Sequence, residues 1–118
     1  MSAEPVSAGE PRSVSLAEFN RVELRVGTVL EAAPHPKADR LLILKVRVGE
    51  RVKQIVAGIR QYREPGTLVG VQVIVVDNLE PAVLRGERSE GMLLAILDAG
   101  ELALLVPDRK VRDGARVT

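Results

Sequence analysis

Cysteine and tryptophan are absent from this sequence, and Phe19 and Tyr62 make up its whole phenylalanine and tyrosine content. Without cysteine there are no disulfides, no thiolate metal ligands and no cysteine nucleophile, which fits a reducing compartment such as the cytoplasm. With two aromatic rings, the core has to be assembled from Val, Leu, Ile and Ala, and that favours β structure. A shortage of rings also argues against generic single-strand nucleic-acid binding, where stacking contributes roughly 1 to 3 kcal/mol per base. No apolar run approaches membrane-spanning length, and the first residues lack the basic and apolar regions of a secretory signal. A surplus of one charge is missing too. Lys and Arg number 17 against 16 Asp and Glu, for a net charge of +1. The summed field therefore cannot hold a polyanion, and any nucleic-acid role depends on where individual charges are placed.

What is present is one domain's worth of chain, 118 residues. Residues 1–14 are rich in Ala, Ser, Pro, Gly and Glu with no apolar period, which predicts a mobile tail, and residues 15–118 form the folded unit. Ser15-Leu-Ala-Glu18 has the form of a capping box and predicts one helical turn. Period two then sets in, with Val22, Leu24, Val26, Thr28, Leu30 and Ala32 assigned to the inner face of a long first strand, and Gly27 marking a bend or bulge. Pro34-His-Pro-Lys-Ala-Asp-Arg40 breaks the pattern as a loop. Leu42, Leu44, Val46 and Val48 define a second strand, and Gly49-Glu50 turns it into a third over residues 52–57. Arg60-Gln-Tyr-Arg-Glu-Pro65 predicts a short helical connector. Val71, Val73 and Val75 open a fourth strand, residues 78–91 a long loop, and residues 92–97 a fifth strand. A further pair, residues 102–106 and 115–118, is expected to cap the barrel or to meet another subunit. The fold class this implies is all-β: a five-stranded, partly open Greek-key barrel of the OB type with a short helical connector and a C-terminal strand extension.

In that architecture ligands gather on the face of strands two and three and in the loops joining strands one to two and four to five. Arg25, Lys45 and Arg47, with Lys53 on the third strand, would form a basic stripe there. Lys37, Arg40, Arg85 and Arg88 would extend it from the loops. A solvated surface charge is the ordinary role of any one of these, and only their clustering raises the binding reading. Asn78 and Ser89 offer hydrogen bonds to a ribose or base edge, and Met92 an apolar contact, against the ordinary role of filling a core. Catalytic readings find no support. His35 is the single histidine, set between two prolines, where ordering the loop is its expected task. The Gly86 to Gly91 spacing lacks the Lys-Ser/Thr of a phosphate loop, and Ser89 is not in a Gly-x-Ser-x-Gly elbow. No metal ligand set or cofactor motif is expected.

Val22-Glu-Leu-Arg-Val-Gly27, His35-Pro-Lys-Ala-Asp-Arg-Leu41, Gln54-Ile-Val-Ala-Gly58, Leu68-Val-Gly70, Asn78-Leu79, and Leu84-Arg-Gly86 followed by Ser89-Glu-Gly-Met92 together resemble the tRNA-binding domain family. That family includes C-terminal modules of methionyl-tRNA synthetases, stand-alone structure-specific tRNA-binding proteins and a small secretion-related chaperone. The resemblance implies an OB-fold that docks on the outside of folded tRNA, senses shape more than sequence, is non-catalytic, and is a homodimer when it stands alone. It maps the RNA contacts onto Lys37, Arg40, Asn78, Arg85, Ser89 and Met92. It also implies dimerisation through the segment around Val106-Pro-Asp-Arg109, and an aminoacyl-tRNA synthetase as a further possible partner. Glu80 and Val83 stand where the family commonly carries lysines, which removes phosphate contacts that Lys37 partly restores. Peptide binding, as in the chaperone relatives, is the alternative function.

Overall fold

The computed structural model describes residues 12–118, so the first eleven positions of the expected tail lie outside the described residues. The predicted capping box is formed: Ser15 Oγ accepts from the Glu18 amide at 3.0 Å, and Glu18 Oε1 accepts from the Ser15 amide at 2.8 Å. It opens the single helical turn α1 (Leu16–Phe19).

Strands β1 (Leu24–Pro34), β2 (Leu42–Val48), β3 (Arg51–Ala57), β4 (Gln72–Val76) and β7 (Met92–Leu93) make a curled sheet in the order β3-β2-β1-β4-β7. Between them lie the short strands β5 (Ala82–Leu84) and β6 (Glu87–Ser89), and after them β8 (Ala95–Asp98) and β9 (Glu101–Leu104). Glu90 closes the gap between the sheet's two edges, its amide donating to the Gln54 carbonyl at 2.8 Å and its carboxylate accepting from the Gln54 amide at 2.9 Å. Closure by Glu90, Ser89 and the Gln54 side chain, without a strand ladder, is what leaves this OB-fold barrel partly open.

β2 behaves as its period-two pattern predicts, with Leu42, Leu44, Val46 and Val48 fully buried. Val29, Ile55, Ala57, Ile59, Leu68, Val73 and Val75 complete the core. β1 departs from its pattern. Its inward positions are Gly27 and Val29, not Val26 and Thr28, and the register shifts between Val29 and Glu31 so that Ala32 packs against the core again. One extra residue in a strand reverses the facing of everything beyond it, so a strict alternation assigned the first half of β1 to the wrong side. Gly27 is therefore not the bulge. A Cβ there would lie 2.7 Å from Val46 Cγ1, and glycine is what lets β2 pack this closely.

The connector also lies later than expected. Residues 59–63 form a hydrogen-bonded turn, and the helical segment is a 3-10 turn at Pro65–Leu68, opened by Pro65. Proline's fixed φ and missing amide suit the first position of a helical turn better than its end. The expected fifth strand splits: β7 pairs with β4, while β8 leaves the barrel and pairs with β9 across the two left-handed residues Ala99 and Gly100. The predicted loop 78–91 is likewise half structured, because β5 and β6 form a hairpin whose turn residues, Arg85 and Gly86, both take positive φ. The last residues return to β1, where the Val26 amide donates to Ala115 and the Val117 amide to Leu24.

Candidate nucleic-acid interface

The loop after β1 and the β5–β6 hairpin are far apart in sequence and locked together in space by His35. The ring is 2% exposed. Its Nδ1 accepts from the Lys37 amide at 2.9 Å, so the neutral ring carries its proton on Nε2, which donates to the Leu84 carbonyl at 3.1 Å. Loop ordering, the role expected for this histidine, is the one it has. Arg85 adds a second tie, its Nη2 donating to the Lys37 carbonyl at 3.1 Å, and Arg60 supports the loop from below through Ala38 at 3.2 Å. The consequence is a groove of about 350 Å³ that brings Lys37, Arg40 and Arg85 together beside a single carboxylate, Asp39. The Lys37 and Arg40 side chains are exposed and have no bonding partner among the described residues, so their charges are available to an anion.

The predicted stripe on the strands holds only in part. Side chains directly opposite in a ladder share a face. Lys45 pairs with Gln54 and Arg47 with Val52, so both stand on the outer face of β2. Lys53 pairs with core residue Val46 and points to the inner side, at the end of the barrel. There its Nζ donates to Asp77 Oδ1 at 2.8 Å, Arg51 Nη2 reaches Asp77 Oδ2 at 2.5 Å, and Arg25 Nε lies 3.6 Å from Oδ2. Burial of Asp77 works to raise its pKa, but hydrogen bonds and charge from Arg51 and Lys53 outweigh it and hold the carboxyl below the ordinary aspartate value. Arg25 and Lys53 are thus parts of an ion-pair plug, not of an outer stripe, because the long-range partner Asp77 decides where their heads go. On the outer face Lys45 is bonded to Gln54 at 2.6 Å and faces Glu31 across the ladder. Arg47 is exposed and has no partner among the described residues.

Two further candidates have their polar atoms committed elsewhere. Asn78 Oδ1 accepts from the Glu23 amide at 2.9 Å and its Nδ2 donates to the Arg21 carbonyl at 2.6 Å, which ties the α1–β1 link to the end of β4. Ser89 is buried, its Oγ accepting from the Val56 amide at 3.0 Å and donating to the Gly91 carbonyl at 3.1 Å. Both act through position, the one holding β1, the other closing the barrel on β3. Met92 is 45% exposed and is not a core filler. With Val56, Ile59, Leu79 and Leu84 it lines an apolar groove of about 320 Å³ next to the hairpin. Arg88 is exposed and leans on Glu90 at 3.8 Å. Among the described residues no group of three His, Cys, Asp or Glu side chains is placed to hold a metal ion, and no helix is long and apolar enough to cross a membrane.

Residues 24–116 match the model of a family described as "Putative tRNA binding domain". The methionine–tRNA ligase of Thermococcus kodakarensis is 49% identical over 104 residues, which cover 88% of this chain and 14% of that enzyme. The Helicobacter pylori methionine–tRNA ligase is 46% identical over 106 residues, 89% of this chain and 16% of that enzyme. The chain thus spans a small part of the length of these curated relatives. Among solved structures, a methionyl-tRNA synthetase related protein from Pyrococcus horikoshii superposes with a TM-score of 0.85 at 31% identity, over 92% of this chain and 100% of that one. The chaperone CsaA of Bacillus anthracis superposes with a TM-score of 0.80 at 28% identity, over 91% and 100%.

Proposed function

The chain belongs to the tRNA-binding domain family, and from that premise we propose that it binds folded tRNA as a homodimer in the cytoplasm, without a catalytic step of its own. The observation that carries this reading is the groove at the loop end of β1, where Lys37, Arg40 and Arg85 from two separate segments converge. Arginine forks and a lysine head at fixed spacing suit phosphate oxygens, and His35 holds that spacing before any ligand arrives. The outer faces of β2 and β3 carry no aromatic side chain. Recognition then rests on phosphates, 2′-hydroxyls and the shape of a folded RNA. Dimerisation is supported by the β8–β9 hairpin and the segment after it, which leave Ile96, Leu97 and Val106 half or more exposed. Two copies of the groove on one particle raise avidity, which offsets a monomer of net charge +1. The likeness to one module of much longer methionine–tRNA ligases supports a synthetase chain as a further partner. The test is a titration with folded tRNA, heat-unfolded tRNA and duplex DNA at several salt concentrations. Selective binding of the folded tRNA is expected, and equal affinity for all three ligands would sink the shape-sensing reading.

The groove lined by Met92, Leu84, Leu79, Ile59 and Val56 favours a second reading, binding of unfolded polypeptide, in line with the likeness to a chaperone. It predicts that a reduced, unfolded protein competes with tRNA. Absence of any competition counts against it.

A further inference from the structure

The final residues form a strap whose backbone is fastened along its length. Gln72 clamps Val111 in both directions, its Nε2 donating to the Val111 carbonyl at 2.7 Å and its Oε1 accepting from the Val111 amide at 3.0 Å. Asp113 accepts from Thr28 Oγ1 at 2.6 Å and from Gln72 Nε2 at 3.1 Å, so its charge is turned inward. The Gly114 amide donates to Val26 at 2.7 Å and its carbonyl accepts from Arg25 Nη1 at 3.0 Å. Lys110 and Arg112 stand on either side of the clamped Val111, and the side chains of both are exposed without a partner among the described residues. Arg109 and Arg116 are exposed on the same short segment. Lys110 and Arg112 therefore flank a pinned residue, with Arg109 and Arg116 close by in sequence and one outward carboxylate, Asp108.

The strap adjoins Arg47, the strand cation on the outer face that has no partner among the described residues. Arg47 is the ladder partner of Thr28, whose hydroxyl donates to Asp113, so Arg47 and Asp113 both stand beside Thr28, with Arg112 next to Asp113 in the chain. Arg109 and Lys110 also rim a cleft of about 390 Å³ floored by Thr28, Val71 and Gln72. We propose that Arg47 with Lys110 and Arg112 of the strap forms a second phosphate-binding surface for the same folded RNA, built by tertiary structure in place of the stripe that Arg25 and Lys53 do not supply. It lies beside Thr28, midway along β1 and six residues from the strand's loop end at Pro34, about 20 Å at about 3.3 Å per strand residue. A pinned backbone matters here because the cations are held apart and outward before binding, and little further ordering of the chain is required. The inference rests on the tRNA-binding reading and extends the footprint from the loop end of the barrel along its outer face.

The test is the salt dependence of tRNA affinity for the full chain and for two double variants, Lys110→Ser with Arg112→Ser, and Lys37→Ser with Arg40→Ser. Each phosphate contact adds about 0.9 to the slope of log affinity against log salt. Removal of the two strap charges is expected to flatten the slope by about 1.5 to 2 and to weaken binding on the order of tenfold or more at low salt. The thermal midpoint should stay unchanged, and Lys110→Arg with Arg112→Lys should keep the original slope. If the strap variant binds with an unaltered slope while the loop variant is weakened, the second surface is overturned and the first stands. If the unmodified chain does not bind tRNA at any salt, the proposed function falls, and this extension with it.

Discussion

His35 Nε2 donates to the carbonyl of Leu84 at 3.1 Å, across 49 positions of sequence. This bond joins the two segments that carry the basic groove, and on it the geometry of the proposed interface depends. His35→Ala leaves a hole, an unpaired Lys37 amide and an unpaired Leu84 carbonyl. The expected cost is about 2 to 4 kcal/mol in a urea unfolding titration. A further, separate loss of tRNA affinity is expected at temperatures where the variant is still folded, since the loops then no longer hold Lys37 and Arg85 in register.

Asp77 gives the barrel an acid-sensitive end. Its carboxyl titrates below the ordinary aspartate value when folded, because the partners Arg51 and Lys53 outweigh the effect of burial. A depressed folded pKa contributes stability that is fully present above the unfolded value of about 3.9 and is lost as pH falls through the folded value. Urea midpoints measured from about pH 6 down to pH 2 should decline over that window. In Asp77→Asn this part of the decline should be missing and stability near neutral pH lower, by about 3 kcal/mol, since three cations would surround a neutral amide.

Gly27→Ala tests the close approach of β1 and β2. The added methyl would sit 2.7 Å from Val46 Cγ1 and 3.0 Å from the Arg47 carbonyl. Destabilisation of about 1 to 3 kcal/mol is expected. In a double-mutant cycle with Val46→Ala the two substitutions should cost less together than their sum, because the second relieves the clash of the first. Strict additivity would contradict this packing.

Lys53 and Arg47 should separate cleanly in function. Lys53→Gln removes a donor from Asp77 and is expected to lower the unfolding midpoint while leaving the salt slope of tRNA binding as it was. Arg47→Gln should do the reverse, with a slope lower by about 0.9 and an unchanged midpoint. Measured side by side, the two variants distinguish a plug from a contact.

Ser89→Ala removes an acceptor from the buried Val56 amide and a donor from the Gly91 carbonyl. A loss of about 1 to 3 kcal/mol is expected. Ser89→Thr, which keeps the hydroxyl, should recover part of it, and amide exchange at Val56 should report the difference directly.

Much of the architecture was legible in the residues. The alternation from Leu42 to Val48, the turn at Gly49, the capping box at Ser15 and the motif-bearing segments around His35 and Arg85 are local patterns whose physical meaning does not depend on distant partners. So was the family, carried by ordered motifs from Val22 to Met92. What tertiary structure alone decided is of another kind. Val26 and Val29 are equally apolar, and nothing near Leu30 marks a register shift, so the inward face of β1 was settled by what β2 packs against it. The heads of Lys53, Asn78 and Ser89 go to partners 24, 55 and 33 positions away. A side chain's hydrogen-bonding capacity is read from its type, but whether that capacity is spent inside the fold or left for a ligand depends on contacts that local pattern does not encode. For the same reason the free cations of the strap, Lys110 and Arg112, depend on Gln72 and Thr28, which hold their neighbours Val111 and Asp113.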